Sequence, residues 1–262
     1  MPSRSRRPRR DDPLTAALGY FRDLGVREIH LPAAAASGPL AAGPVVPTAS
    51  PARARRPGTA PERVPAARFE DLAAVEAAVA GCQLCGLCRT RTRTVFADGT
   101  GRRRLMFVGE APGADEDASG VPFVGRAGQL LTKMIEAGMG LSRQDVYIAN
   151  VLKCRPPGNR NPEPDEIASC RPYLDAQIDF VKPAVLVGLG KFAAQFLLET
   201  EEPITRLRGR WGVRQGIPVM PTYHPSFLLR QPERKKEAWE DLQEVLRKLG
   251  LPIPGKRTEP GS

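Results

Sequence analysis

The chain has 262 residues, of which 41% are hydrophobic, and a formal net charge of +10. This length suffices for one domain with a buried core plus an appendage. No apolar run approaches the ~20 residues that a membrane span needs, and the Arg-rich first ten residues are not followed by the apolar stretch of a secretory signal. We therefore expect an intracellular protein.

The positive charge is concentrated at the N-terminus. Residues 1–66 contain eleven Arg and five Asp or Glu, a surplus that accounts for six of the ten net positive charges. Such a chain favours a polyanionic partner, because Lys and Arg displace counterions from a phosphate backbone. A basic tail that only raises solubility is the alternative interpretation.

Residues 1–66 are predicted to form an extension outside the folded domain. Residues 31–66 consist mainly of Ala, Pro, Gly and Arg, which bury too little apolar surface to offset the entropy of ordering, so a disordered linker is predicted. Residues 14–25 carry apolar side chains at helical spacing. This short helix either docks a protein partner or packs on the folded domain. We place that domain at residues 67–250 and a flexible tail at 251–262.

From Phe69 onward, short apolar runs alternate with amphipathic ones. Strands are predicted at 104–110, 146–150, 184–190 and within 217–225, and helices at 69–82, 125–139, 162–181, 191–198 and 234–249. This alternation predicts an α/β fold, a three-layer sandwich in which a central, mainly parallel, four-stranded sheet is flanked by helices. Ligands of such sheets bind at the carboxyl ends of the strands, so the loops that follow the strands form the candidate site.

The loop after the first strand is rich in acids. Residues 109–131 read GEAPGADEDASGVPFVGRAGQLL, with Glu110 and Glu116 ahead of Phe123. The loop lacks the Lys-Ser/Thr of a P-loop and the G-x-G-x-x-G spacing of a dinucleotide site, and its acids would repel phosphate. It is either a solvated acidic turn or a site where a carboxylate activates water or stabilises an oxocarbenium-like transition state.

Two further strands end in polar side chains. Asn150 closes the run VYIAN; such a residue often caps a turn, but its amide also offers acceptor and donors in one plane, which matches the edge of a base. The chain has two His, and His30 lies in the extension, so His224 is the imidazole available to the folded domain. Its position at a strand end, before Pro225, favours a functional role.

The chain has five cysteines, and no secretion signal is recognisable. Because this number is odd and the expected compartment is reducing, a disulfide framework is disfavoured. Cys82 and Cys85 are separated by two residues, whereas Cys154 and Cys170 are separated by fifteen. Four thiolates can hold Zn²⁺ or a [4Fe–4S] cluster, although structural zinc sites usually close with a second short Cys pair. Cys88 is either part of a ferredoxin-like run with the first two or a free thiol.

Taken in order, these segments resemble the family 4 uracil-DNA glycosylases, the bacterial and archaeal iron–sulfur branch of their superfamily. The motifs that carry the resemblance are GEAPGADED, PFVGRAGQLL, VYIANVLKCRPP and HPSFLLR, together with the later Cys170, and it covers residues 69–249. The resemblance implies an enzyme that flips uracil out of DNA and hydrolyses its N-glycosidic bond, which starts base-excision repair. We accordingly expect uracil-containing DNA, single- or double-stranded, as partner, no membrane, a monomer, and a cytoplasmic, nucleoid-associated protein in a prokaryote.

The resemblance also implies a set of cluster ligands. Four cysteines match the ligands of a [4Fe–4S] cluster, namely Cys82, Cys85, Cys154 and Cys170. The interval from Cys85 to Val95-Phe96 favours Cys85 over Cys88 as a ligand. The implied cluster is structural and would pin the N-terminal helix to the loop at 154–170.

The implied base pocket uses the acidic loop and Asn150. Glu110 and Ala111 match the first active-site motif, with a backbone contact to uracil at Ala111 and Glu110 favoured as the residue that positions water. Glu116 matches an acid near the C5 edge of uracil. Phe123 matches the aromatic ring on which the flipped base stacks, and Asn150 matches the residue that reads O4 and N3.

The implied DNA contacts lie in the last motif. His224 matches the residue that steadies negative charge on uracil O2 as the bond breaks, Leu228 matches the wedge that enters the vacated space in the duplex, and Arg230 is an expected DNA contact.

Two alternatives stay open, and a third is disfavoured by the sequence. A non-catalytic iron–sulfur DNA-binding or sensor protein on the same fold is the first, although Glu110, Asn150 and His224 are all present. A neighbouring family with a broader base range is the second, and GEAPG followed by acids argues against it. A sister group that binds uracil-DNA covalently carries a KRRIH-containing insertion, which is missing after Asn150.

Overall fold

The computed structural model describes residues 69–254. The predicted extension at 1–66, with its helix at 14–25, lies outside these residues, as do the last eight residues of the predicted tail. The first residues of that tail are placed: Leu251 and Ile253 pack against the hydrophobic core.

The described residues form eight α-helices and five β-strands. The helices are α1 (Leu72–Ala80), α2 (Ala114–Ser119), α3 (Arg126–Lys133, continued by a π-helical turn, Met134–Gly138), α4 (Pro164–Val181), α5 (Gly190–Leu198), α6 (Ile204–Leu207), α7 (Pro225–Arg230) and α8 (Lys235–Lys248). The strands are β1 (Leu105–Gly109), β2 (Tyr147–Asn150), β3 (Val185–Leu189), β4 (Gly212–Arg214) and β5 (Ile217–Thr222). None of the helices described here is both long and apolar enough to cross a membrane.

The predicted α/β class is confirmed, and the sheet contains one strand more than predicted. All four predicted strands are present, and the fifth, β4, adds to the edge of the sheet. β4 has only three residues and exposes Val213, which is 66% accessible, so its sequence carries neither the length nor the burial pattern that reveals a strand. The short helices α2, α6 and α7 were also not predicted.

The order of the sheet is β2-β1-β3-β5-β4. Strands β2, β1, β3 and β5 are parallel to one another, and β4 runs antiparallel to β5. Gly109 at the end of β1 is in register with Asn150 at the end of β2. Because the parallel strands share a direction, the residues that follow β1, β2, β3 and β5 meet at one edge of the sheet.

Helices cover both faces of the sheet, as a three-layer sandwich requires. One face packs against α3 and α8, for example Phe107 against Leu131 and Leu242. The other face packs against α4 and α5, with Val108 in the same cluster as Leu174. Successive residues of β1 thus point to opposite layers, which explains why the strand is apolar throughout.

A third apolar cluster lies beside the sheet, between α1 and α4. It contains Val75 and Val79 of α1, together with Cys154 and Cys170. Asp71 caps α1 by accepting a hydrogen bond from the Ala74 backbone N–H at 2.8 Å. The cysteine-bearing segments are therefore fixed next to the strand ends.

Candidate functional site

A cavity of about 560 Å³ opens at the edge of the sheet where the parallel strands end. Seven of the eight predicted site residues other than cysteines line it, namely Glu110, Ala111, Glu116, Phe123, Asn150, His224 and Arg230. The fold therefore brings together residues from four separate sequence motifs.

Asn150 carries an unpaired acceptor into this cavity. Its side chain is only 2% exposed, and among residues 69–254 its Oδ1 and the Nε of Arg214 are the buried side-chain polar atoms that have no hydrogen-bond partner. Leaving a buried polar atom unpaired costs about 1–3 kcal/mol. A ligand that presents an N–H group to Oδ1 would remove that cost.

Gly109 lets the Asn150 amide and the Phe123 ring meet. A Cβ atom on Gly109 would lie 2.3 Å from Asn150 Oδ1 and 2.4 Å from Phe123 Cζ, which is closer than non-bonded atoms approach. Only glycine therefore fits at the end of β1, and the amide and the ring share one wall of the cavity.

Phe123 is held in a left-handed backbone conformation, with a φ of 55°. Such a φ is rare for a bulky residue and needs support from its surroundings. Arg143 Nη2 donates to the carbonyl of Pro122 at 2.7 Å, and Glu116 Oε1 accepts from the backbone N–H groups of the two residues after Phe123, both at 2.9 Å. The peptide groups on either side of the ring are thus fixed.

Glu116 uses both carboxylate oxygens in this support. Its Oε2 accepts from the Gly113 backbone N–H at 3.0 Å, at the start of α2. The three backbone hydrogen bonds that Glu116 accepts hold the Phe123 loop against the start of α2. Glu116 thus positions the Phe123 loop, and its location near the C5 edge of a bound base stays a prediction.

His224 is a neutral imidazole that carries its proton on Nε2. Its Nδ1 accepts a hydrogen bond from the Ser226 backbone N–H at 3.1 Å and lies 2.8 Å from Ser226 Oγ, which assigns the ring proton to Nε2. Burial, with a smaller contribution from the positive charge of Arg230, lowers the pKa of His224 to about 4. The Phe123 and His224 ring centroids are 5.7 Å apart, so a hydrogen-bond donor stands beside the aromatic wall.

Glu110 directly follows β1, and Lys191 lies in the first turn of α5, two residues after β3 ends. Burial raises the pKa of Glu110, and the positive charge of Lys191 acts in the opposite direction. Both residues line the cavity. A half-buried carboxylate with a raised pKa is a better proton acceptor than an exposed one.

The mouth of the cavity is positively charged. Lys191, Arg160 and Arg230 line it and are exposed. Arg160 donates to both oxygens of Glu166, at 2.9 and 2.6 Å, so part of its charge is paired. The remaining cations are positioned to meet phosphates outside the cavity.

The predicted wedge residue Leu228 does not reach the surface. It is 1% exposed and packs with Tyr223 and Ala238 in a cluster under α7. It could enter a duplex only if α7 left this cluster. The wedge role of Leu228 stays a prediction, and the next residue, Leu229, is 36% exposed.

The four predicted cluster ligands lie in one apolar region. Cys82 and Cys85 are half-buried and Cys154 and Cys170 are buried in the cluster between α1 and α4, which Ala111 of the cavity wall also contacts. Arg91 Nη1 donates to Cys154 Sγ at 3.3 Å, and the Lys153 backbone N–H donates to Cys170 Sγ at 3.4 Å. Hydrogen bonds to sulfur of this kind are typical of metal-bound thiolates.

In the part of the chain that the structure describes, no group of three His, Cys, Asp or Glu is arranged to hold a metal ion. In a [4Fe–4S] cluster each thiolate binds a different iron, so the ligands stand further apart than around one ion. Burial raises the pKa of Cys85 and Cys154, and that of Cys170 to about 12, so the thiols need a cation to become thiolates.

Three residues at the site were not predicted. Lys191 directly follows the apolar run of β3, so the rule that placed Asn150 at a strand end would have found it. Arg143 supports the Phe123 loop from another element, and no local pattern marks it. Lys153 is fully buried, and burial lowers its pKa to about 8; its position beside Cys154 in the sequence was the available signal.

The chain was compared with known proteins. Residues 96–243 match the model of the uracil DNA glycosylase superfamily. The chain is 44% identical over 185 residues to the type-4 uracil-DNA glycosylase of Sulfurisphaera tokodaii, covering 68% of this chain and 84% of the relative. The type-4 enzyme of Archaeoglobus fulgidus is 42% identical over 187 residues (68% and 92%), and that of Thermotoga maritima is 44% identical over 184 residues (68% and 94%).

The state of His224 can be tested directly by ¹⁵N NMR. In a His30→Asn variant, which leaves His224 as the one imidazole of the chain, we expect a neutral ring protonated on Nε2 that titrates with a midpoint of about 4. Arg230→Gln should raise this midpoint, because the charge of Arg230 lowers it. A midpoint at the ordinary histidine value of ~6.5 would contradict the assignment.

Proposed function

Because the chain belongs to the uracil-DNA glycosylase superfamily and, within it, to the type-4 family, we propose that it removes uracil from DNA by hydrolysing the N-glycosidic bond. The observation that carries this proposal is the buried, unpaired Oδ1 of Asn150 in the cavity wall. Uracil has an N3–H donor beside its O4 acceptor, which matches the acceptor and donors of one amide. Cytosine has an acceptor at N3 and a donor at position 4, so it would leave the amide mispaired.

Access to the cavity requires that the nucleotide leave the helix. The scissile bond lies inside the stacked DNA duplex. The base must therefore be extruded before it can enter a pocket at the carboxyl ends of the parallel β-strands. Phe123 then supplies the surface on which uracil stacks, and Glu116 and Arg143 hold that ring in place. The cavity extends beyond the base-reading wall to Arg160 and Arg230, which leaves room for the sugar and its phosphates.

The leaving group is stabilised by His224. When the bond between C1′ and N1 breaks, its electron pair stays with uracil, and negative charge develops on O2. A neutral imidazole that donates from Nε2 can hydrogen-bond to this oxygen without first releasing a proton. The lowered pKa of His224 favours this form across the neutral range.

Glu110 is proposed to receive the proton of the attacking water. Water adds to C1′ as the base departs, and its proton passes to the Glu110 carboxylate, which gives an abasic site and the uracil anion. Glu110 then returns this proton through solvent to the anion, so that neutral uracil is released and the carboxylate is restored. The raised pKa of Glu110 favours proton acceptance, and the positive charge of Lys191 acts in the opposite direction by favouring the ionised carboxylate.

The exposed residues around the mouth are proposed to bind DNA. Arg230 and Lys191 would contact phosphates, and Leu229, rather than the buried Leu228, would enter the space that the base leaves. Action on chromosomal DNA would place the protein in the cytoplasm with the nucleoid.

Cys82, Cys85, Cys154 and Cys170 are proposed to hold a [4Fe–4S] cluster. When bound, the cluster would supply a structural cross-link between α1, the loop after β2 and α4. The hydrogen bonds to the sulfur atoms of Cys154 and Cys170 support this assignment. Cys88 is outside the apolar cluster that contains the four thiols and is proposed to be a free thiol.

The sensor alternative is not favoured. A protein that only binds DNA would need neither a neutral histidine nor a carboxylate with a raised pKa in the same cavity. These two groups serve bond cleavage.

The base-reading role is tested by Asn150→Ala. Loss of two hydrogen bonds to the base, each worth about 1.5 kcal/mol, should lower kcat/KM for uracil release from a labelled oligonucleotide about 150-fold. Asn161→Ala, at an exposed asparagine, is the matched control and should retain full activity. Normal activity of Asn150→Ala would remove the basis of the proposal.

The cluster assignment is tested by serine substitutions. Cys154→Ser should lose iron and solubility together, because the cross-link is broken, whereas Cys88→Ser should keep the iron content of the wild type. Iron per chain is measured on the purified proteins. An iron-free Cys154→Ser protein that is stable and active, or loss of iron in Cys88→Ser alone, would refute the ligand set.

The role of Glu110 is tested by the pH dependence of kcat/KM. Activity should fall as the pH drops through the pKa of Glu110, since the carboxylate must be ionised to accept a proton. Lys191→Ala should move this acid limb to higher pH, because the charge that lowers the pKa is removed. Lys133→Ala, at an exposed lysine outside the cavity, should leave the limb in place; equal profiles for all three proteins would exclude Glu110.

A further inference from the structure

Lys153 is a buried ammonium group in the loop between Asn150 and Cys154. Its side chain is 1% exposed, although lysine is almost never fully buried without a partner. Its Nζ donates to the main-chain carbonyl of Asn150 at 2.7 Å and to Gln177 Oε1 at 2.5 Å. Both acceptors are uncharged, and within residues 69–254 Lys153 forms no ion pair with a carboxylate.

The hydrogen bond to Asn150 meets a need of the backbone. β2 is the edge strand of the sheet. The next hydrogen bond from this part of the chain to β1 is made by the following residue, whose N–H (Val151) donates to the Gly109 carbonyl at 2.9 Å. The Asn150 carbonyl therefore takes its hydrogen bond from Lys153 instead of from a strand. This bond orients the peptide group from which the base-reading side chain projects.

The second acceptor connects Lys153 to a wider buried network. Gln177 is 0% exposed and lies two turns after Cys170 on α4. Its Nε2 donates to the Phe96 carbonyl at 3.2 Å and to the Tyr147 hydroxyl at 3.1 Å. Lys153 is thus fixed by groups from β2, α4 and the segment before β1.

The nearby cysteines supply negative charge once they bind iron. The same residue, Lys153, donates its backbone N–H to Cys170 Sγ and precedes Cys154 in the chain. Thiolates held by a cluster carry negative charge, and an ammonium beside them offsets it. In turn, the thiolates make the burial of Lys153 less costly.

We infer that Lys153 is a positioning residue for Asn150. Through its backbone and its side chain it connects Cys170, one of the four proposed cluster ligands, to the residue whose amide is proposed to read the base. This inference rests on the proposed function of Asn150. Lys153 does not touch the base; it fixes the carbonyl of Asn150 and so the direction of its side chain.

A double-mutant cycle tests the coupling. Lys153→Met keeps the volume of the side chain and removes its donors. In the full-length protein we expect kcat for uracil release to fall at least ~10-fold with little change in KM, because the hydrogen bond that orients the Asn150 peptide group is lost together with the Gln177 contact that holds Lys153 in place. The double variant with Asn150→Ala should match Asn150→Ala alone within ~2-fold, because Lys153 acts through Asn150. Multiplied losses would show an independent, purely structural effect and overturn the inference.

Tyr147→Phe is the matched control at the far end of the network. It removes the hydroxyl that Gln177 contacts but leaves both acceptors of Lys153, so its kcat should equal that of the wild type. If Lys153→Met does not fold, Lys153→Gln takes its place. Gln keeps an uncharged donor on a shorter side chain, so we expect a smaller loss of kcat, and the double variant with Asn150→Ala should again match Asn150→Ala alone within ~2-fold.

The cysteine side of the inference has its own measurement. Iron should leave Lys153→Met faster than Tyr147→Phe during dialysis against a chelator, because the offsetting charge is gone. Equal rates would overturn the link to the cluster. If Asn150→Ala retains activity, the base-reading proposal itself fails; if Asn150→Ala is impaired and Lys153→Met is not, the present inference fails alone.

Discussion

The site depends on the unpaired side-chain oxygen of Asn150. A buried acceptor without a donor destabilises the folded chain, and every neighbouring feature keeps it in that state. Gly109 leaves space for the amide, and the Phe123 loop, braced by Glu116 and Arg143, closes one wall without offering a hydrogen bond. In the proposed function, a base that presents an N–H group to Oδ1 removes this cost on binding, so that one atom contributes to both affinity and specificity.

The apolar cluster beside the sheet carries a second constraint. It fixes α1 and α4 against the loop after β2, and that loop begins at the base-reading residue. A cofactor bound by the four cysteines would therefore stiffen the cavity from outside it, without taking part in bond cleavage. Lys153 is the physical contact between the two regions, since its backbone bonds to a cysteine sulfur and its side chain bonds to Asn150.

Much of this arrangement could be predicted from the sequence, because buried parallel strands are recognisable as apolar runs and their carboxyl ends lie along the same side of the sheet. Asn150, Glu110 and His224 were found in this way. What could not be predicted depends on packing between distant segments. Leu228 and Leu229 have equal hydrophobicity, and only the pose of α7 decides which is buried. Glu116 looks like a free acid until its three backbone donors are in place, and the edge strand β4 is too short to show a period.

The proposed base-reading role of Asn150 is tested most directly by comparing the release of uracil and of cytosine by the wild-type protein. Two oligonucleotides identical except for that one base would be used, and kcat/KM would be measured for each. We expect a preference for uracil of ~10⁴ or more, because cytosine leaves the buried amide mispaired. Comparable release of both bases, or no release of either from iron-loaded protein that binds the DNA, would contradict it.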